Sequence, residues 1–137
     1  RLMAATVSQI AAGLTARLAT ISGLRTFTSQ PEQIQPPVGY PVLNSIEFHR
    51  AFRGGDVVSN WSLVVIVGRW TDSRAHLALD GYLSYSGASS IRAAVEADPT
   101  LGGVVSTLIL ATGASILPET QADAEFLMVR MDCTVHG

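Results

Sequence analysis

Five consecutive aliphatic residues, Leu63-Val64-Val65-Ile66-Val67, form the longest apolar run of the chain. They sit inside Asn60 to Trp70, where β-branched side chains fall on both faces of an extended segment. A strand that is apolar on both faces needs cover on both sides, so it demands a sheet built around it. Five residues are far too few for a membrane span, which takes about 20. Trp61 and Trp70 bracket the strand at opposite parity, so the expectation is one core tryptophan and one available to a partner.

The flanking segments supply the rest of a sheet. Tyr40 to Arg50 alternates through Val42, Ile46 and Phe48, and Pro41 puts its start at an edge or strand end. Gly54-Gly55-Asp56 marks a turn, so the two strands make a long hairpin with its tip near 50–58. Val104 to Ala114 reads as a third long strand, 118–123 as a polar loop, and Ala124 to Val135 as a fourth. In the fourth, Leu127, Val129, Met131, Cys133 and Val135 share one face. Phe126, Met128, Arg130, Asp132 and Thr134 share the other.

Helical spacing appears in three places. Thr6 is a candidate N-cap for Val7, Ile10, Ala11, Leu14, Leu18 and Ile21, with Gly23 placed as a C-terminal cap. Leu24 to Thr28 then reads as a short strand, and Ser29 to Pro37, with three prolines, as a surface linker. Thr71-Asp72-Ser73 starts a second helix, with Ala75, Leu77, Leu79, Tyr82 and Leu83 as its apolar positions. Ser90 to Ala97 makes a third, stopped by Asp98-Pro99 before the Gly102-Gly103 turn. The order predicts a single α+β domain of 137 residues. Its sheet is antiparallel or mixed, with helices packed on one face.

Little in the chain points to catalysis. Asp72, His76 and Asp80 recur at intervals of four, a spacing that can hold a divalent metal. The same spacing describes a solvated helix face with Asp72 near the N-terminus, the favoured reading. No serine sits in a G-x-S-x-G elbow, and neither glycine pair has the further residues that phosphate cradling needs. His49 and His136 lie near strand ends without an evident partner. The lone cysteine, Cys133, falls on the apolar face of its strand and reads as a small buried hydrophobe. No enzyme, cofactor or metal is expected. The opening Arg1-Leu2-Met3-Ala4-Ala5 begins like a signal peptide, but Thr6, Ser8 and Gln9 interrupt it, so export is not expected.

Composition favours a partner. Only 15% of residues are charged, against about 25% in ordinary globular chains. A small domain so poor in charge is expected to cover part of its surface against another chain. The net charge is −2, so stable nucleic-acid binding is not expected; all nine basic residues are arginine. The absence of lysine also suggests a GC-rich genome. Arg50, Phe52, Arg53 and Asp56 at the hairpin tip are expected to contact neighbouring subunits, because arginine and aromatic residues anchor interfaces. Phe126 and Met128 on the final strand are candidate interface residues too.

One stretch, Ser86-Gly87-Ala88-Ser89-Ser90-Ile91-Arg92-Ala93-Ala94-Val95-Glu96-Ala97-Asp98-Pro99-Thr100-Leu101-Gly102-Gly103-Val104-Val105, resembles tail terminator proteins of long-tailed actinobacteriophages. Gln33-Ile34-Gln35-Pro36-Pro37 and the segment from Gly13-Leu14 to Gly23-Leu24 are similar as well. The resemblance runs in order over nearly the whole chain. It implies a homo-oligomeric ring, hexameric in that family, at the head-proximal end of the tail within the virion. Such a ring ends polymerisation of the major tail tube protein and joins the tail to the head connector. Genomic DNA passes through its pore without specific binding, and no membrane is involved. It brings no catalytic residues. The alternatives are a neighbouring head–tail connector or tail-completion protein, and a small α+β enzyme or ligand-binding module.

Overall fold

The computed structural model describes residues 6–21, 23–29, 32, 37–48, 57–87, 89–103, 105, 107–121 and 124–136. The fold is α+β. Helix α1 spans Val7–Leu18, followed by β1 (Arg25–Thr26), β2 (Val38–Phe48) and β3 (Val57–Arg69). Helices α2 (Ser73–Leu83) and α3 (Ile91–Glu96) come next, then β4 (Thr107–Gln121) and β5 (Ala124–His136). The five strands form one mixed sheet in the order β1-β2-β3-β5-β4. Among the described residues, β1–β2 is the parallel pair and the other pairs are antiparallel.

The apolar strand read from the sequence lies in the middle, between β2 and β5. Its odd residues Trp61, Leu63, Val65 and Val67 face the helices. They meet Ile10, Leu14 and Leu18 of α1, Tyr82 of α2, and Ile91 and Val95 of α3. The odd residues of β5, Leu127 to Val135, complete that core. Trp61 is therefore the core tryptophan, and its indole N–H donates to Ser59 Oγ at 2.9 Å. Trp70, at the strand's end, is 36% exposed. Cys133 is buried, as its strand parity requires.

Helix starts follow the caps. Thr6 accepts from the Gln9 N–H while Gln9 accepts from the Thr6 N–H, a reciprocal capping box. Asp72 and Ser90 cap α2 and α3. On α2, Ala75 and Tyr82 are buried, but Leu77 is not: three-quarters of it is exposed, on the solvent side of the helix.

Of two expectations about prolines, that for Pro41 holds and that for Pro118 needs correction. Pro41 lies inside β2, paired with Leu63. It is tolerated because β1 ends at Thr26, opposite Gly39, so among the described residues no strand pairs with β2 on its other side at position 41. The segment 118–123 was expected to be a loop, yet β4 continues through Pro118 to Gln121. β4 is the edge of the sheet, where an absent N–H facing solvent leaves no ladder bond broken.

The turn after α3 is built from its own side chains. Asp98 accepts from the Thr100 hydroxyl at 2.9 Å and from the Gly102 N–H at 2.8 Å. These bonds, the Thr100 hydroxyl first among them, hold the Asp98 carboxyl below its usual range. Gly102 and Gly103 have φ of +75° and +91°, and Leu101 joins them at +52°. Leu101 is 4% exposed and packs against Gly13 of α1.

Candidate functional site

All three helices lie on one side of the sheet. Among the described residues, no helix covers the other side. On that side the even residues of β3 and β5 form two zones. The first is apolar: Val38 and Tyr40 of β2, Val64 and Ile66 of β3, and Phe126 and Met128 of β5 form a separate cluster. The second zone is a polar network across β2, β3 and β5. Ser62 is its centre and is 1% exposed. Its hydroxyl accepts from Asn44 Nδ2 at 2.7 Å and Arg130 Nε at 2.9 Å, and donates to Asp132 Oδ1 at 2.6 Å. Asn60 donates to Ser45 Oγ at 2.9 Å and accepts from Thr134 at 3.2 Å.

The network has a structural cause. The β2–β3 register shifts between Leu43 and Ser45, so Asn44 is the extra residue of a bulge. Its amide turns onto Ser62 and fixes the bulge against β3. Arg130 and Asp132 are on the water side, 3.4 Å apart and substantially exposed, so their attraction adds about 0–1 kcal/mol. Bonds that hold three strands in one register make this face rigid, which suits a surface that must match another.

Apolar area remains open on this face. Val42 lies opposite Ser62, Leu117 opposite Met128, and Ile109 opposite Thr134. Val42 and Leu117 are each 37% exposed and Ile109 is 56% exposed. Phe126 and Met128, picked out from sequence, belong to this face. They are buried in its cluster, so the area left to a partner comes mainly from Val42, Leu117 and Ile109. The sequence signal for those three was parity: each shares a face with residues already singled out on β5. Arg50, Phe52, Arg53 and Asp56, and the hairpin tip that carries them, lie outside the described residues.

A second exposed surface occupies the helix side. Tyr85, 77% exposed, follows α2, and the Arg92 guanidinium stacks 3.7 Å from its ring centre. Arg92 Nε also donates to the Tyr85 carbonyl at 2.7 Å, and Arg92 pairs with Glu96. Beside them runs a groove of about 340 Å³ lined by Leu83, Leu110, Ala114, Ile116 and Met131. A tyrosine and an arginine locked together beside an apolar groove have the composition of an interface anchor.

Among the described residues, Asp72 and His76 of the Asp72–His76–Asp80 spacing are tied into the start of α2. Asp72 Oδ1 accepts from the Arg74 N–H, and His76 Nε2 contacts the Trp70 carbonyl at 2.7 Å with its ring edge-on to the indole. Each is thus engaged in holding the start of α2. No group of three or more His, Cys, Asp or Glu gathers among the described residues. Burial, reinforced by the Asp132 charge, pushes the Cys133 thiol up to about 12, so it carries no thiolate at neutral pH. None of the helices described is long and apolar enough to cross a membrane.

No family model matches this chain, and no curated protein matches it.

Proposed function

We propose that the chain is a structural ring subunit that caps a phage tail tube and joins the tail to the head. One observation carries the reading: two unlike exposed surfaces lie on opposite sides of one rigid sheet. The first is the helix-free face with Val42, Leu117 and Ile109. The second is the Tyr85–Arg92 groove. A ring requires head-to-tail contacts between two different patches, closing after a fixed rotation. Two different patches on opposite sides of one sheet meet that need. A single self-complementary patch would stop at a dimer.

The edge strand supports closed rather than open-ended assembly. β4 is 15 residues long, but a bulge interrupts it between Leu110 and Ala114, and Pro118 removes a backbone donor. Both devices discourage strand-on-strand addition. Subunits then meet through side chains whose angle is set by shape. The chain's low charge and net −2 fit a subunit that hides surface from water and lets DNA pass without gripping it. The likeness of Ser86 to Val105 to tail terminators supplies the specific role, and Arg92 of the groove falls within that stretch. The tube protein and the head connector are the partners this role requires.

The reading is tested by native mass spectrometry and negative-stain imaging of the purified protein. Closed rings of one defined order are expected. Leu117→Asp and Tyr85→Ala, on opposite sides of the sheet, should each release monomers with an unchanged far-UV spectrum. A monomer at all concentrations, or a dimer unaffected by Tyr85→Ala, would refute it.

A further inference from the structure

Helix α2 turns an unusual row of side chains to water. Arg74, Leu77 and Asp80 follow one another at intervals of three, so they lie on one oblique row of the helix surface. All three are exposed, and Leu77, at 75%, is more exposed than any other aliphatic side chain among the described residues. The helix is anchored from its other side, where Ala75 and Tyr82 are buried. The positions around Leu77 are small: Ser73 and Gly81 one turn away on either side, and Ala78 next in sequence. A partner can therefore come close to the Leu77 side chain.

The two charges do not serve the helix that carries them. Arg74 stands in the first turn, at the positive end of the helix dipole, and Asp80 in the last, at the negative end, so each opposes the dipole. The ion pairs between described residues, Arg92–Glu96 and Arg130–Asp132, use neither of them. About 9 Å of helix rise separates the two, so they do not pair with each other.

A row that reads plus, apolar, minus, and is symmetric about its centre, is complementary to itself. A two-fold axis through Leu77, perpendicular to the row, sets Leu77 against its counterpart in a second copy. Arg74 then faces the copy's carboxylate at position 80, and Asp80 faces the copy's guanidinium at position 74. This is the reciprocity an isologous contact requires. Because such rows run about 45° from the helix axis, the two helices cross steeply.

We infer that α2 is a self-association surface, which pairs two copies of this chain through the row Arg74, Leu77 and Asp80. The leucine pair, taken out of water, supplies the attraction. The exposed ion pairs add little strength and fix the register. A contact this small is weak, so the pair forms only at high protein concentration. A different protein on this face would not require opposite charges placed symmetrically about Leu77. The contact is separate from the surfaces proposed for the ring and does not rest on that reading.

The test is sedimentation velocity, over a range of concentrations, of the whole chain carrying Leu117→Asp. That change removes a proposed ring contact, so failure of the ring and failure of the α2 pair are read separately. A monomer–dimer equilibrium is expected, and Leu77→Ser should abolish it. Arg74→Asp and Asp80→Arg should each weaken the dimer at least about tenfold, because each sets like charges face to face at both ends of the row. Both changes agree with the helix dipole, so the far-UV circular dichroism should be unchanged. An equimolar mixture of the two single variants should dimerise again. The chain with both changes should recover to within about threefold of the starting protein, since the same ion pairs return with their signs exchanged. Misfolding cannot produce either recovery. No dimer at any concentration, a dimer indifferent to Leu77→Ser, or charge variants that fail to rescue each other would each overturn the inference.

Discussion

Gly13 lies in the middle of α1, where glycine ordinarily destabilises a helix by about 1 kcal/mol relative to alanine. Gly13→Ala should therefore stabilise an ordinary helix by that amount. Here a Cβ at position 13 would stand 2.9 Å from the Leu101 Cβ and 3.2 Å from its Cδ1. The nearer atom is fixed to the backbone and cannot swing aside, and Leu101 is itself buried at positive φ. Overpacking of this kind costs about 1–3 kcal/mol. The net expectation for Gly13→Ala is a loss of about 0–2 kcal/mol in place of a gain. Leu101→Gly removes the obstructing Cβ and the left-handed strain, at the cost of a buried side chain. On that background Gly13→Ala should recover its gain of about 1 kcal/mol. The two changes are thus coupled by about 1–3 kcal/mol, read from a double-mutant cycle in urea followed by tryptophan fluorescence. If Gly13→Ala stabilises the parent protein by about 1 kcal/mol and does the same on Leu101→Gly, the helix and the turn are not in contact as described.

Further consequences follow from burial and backbone geometry. Cys133→Ala should cost about 1 kcal/mol and leave assembly intact, and a bulky maleimide should label the native thiol only as fast as the protein unfolds. Because the folded thiol titrates near 12, its contribution to stability is complete below the unfolded value of about 8.5 and is lost as pH rises toward 12. Stability of Cys133→Ala measured from pH 7 to 10.5 should show a shallower alkaline decline. Gly102→Val with Gly103→Val puts β-branched side chains at φ near +75° and +91°, so soluble yield should fall sharply; a double variant that folds normally would exclude a left-handed turn. Asp98 is held below its usual pKa, so its bonds stabilise the fold above about pH 4 and are lost as pH falls further. The urea midpoints of the parent and Asp98→Asn should therefore converge on acidification.

Much of the fold was legible because side-chain period and capping chemistry act locally. The run around Leu63 to Val67 demanded a central strand and is one. Thr6, Asp72 and Ser90 announce their helices through bonds to N–H groups two or three residues away. What stayed hidden depends on neighbours far along the chain. Pro118 looks like a strand breaker until β4 is known to be an edge. β1 is two residues long, too short for any pattern, and its parallel pairing follows from where α1 delivers the chain. The Leu101 backbone conformation could not be read, because the adjacent glycines already accounted for the turn. The two exposed surfaces were half visible: parity placed Phe126 and Met128 together, but exposure passed to Val42, Leu117 and Ile109. The close seat of α2 on β3 stayed hidden too, because it depends on Gly68 and on the register shift that precedes it.

The assembly role is tested most directly in virions. On the proposed role the chain is phage-encoded, so the test is deletion of its gene from that phage and negative-stain imaging of the particles. A ring that ends tube growth predicts tails well beyond normal length, with no heads attached, and restoration of both by the parent gene but not by Leu117→Asp. Tails of normal length without heads would assign the chain to the connector, and normal infectious particles would contradict the account altogether.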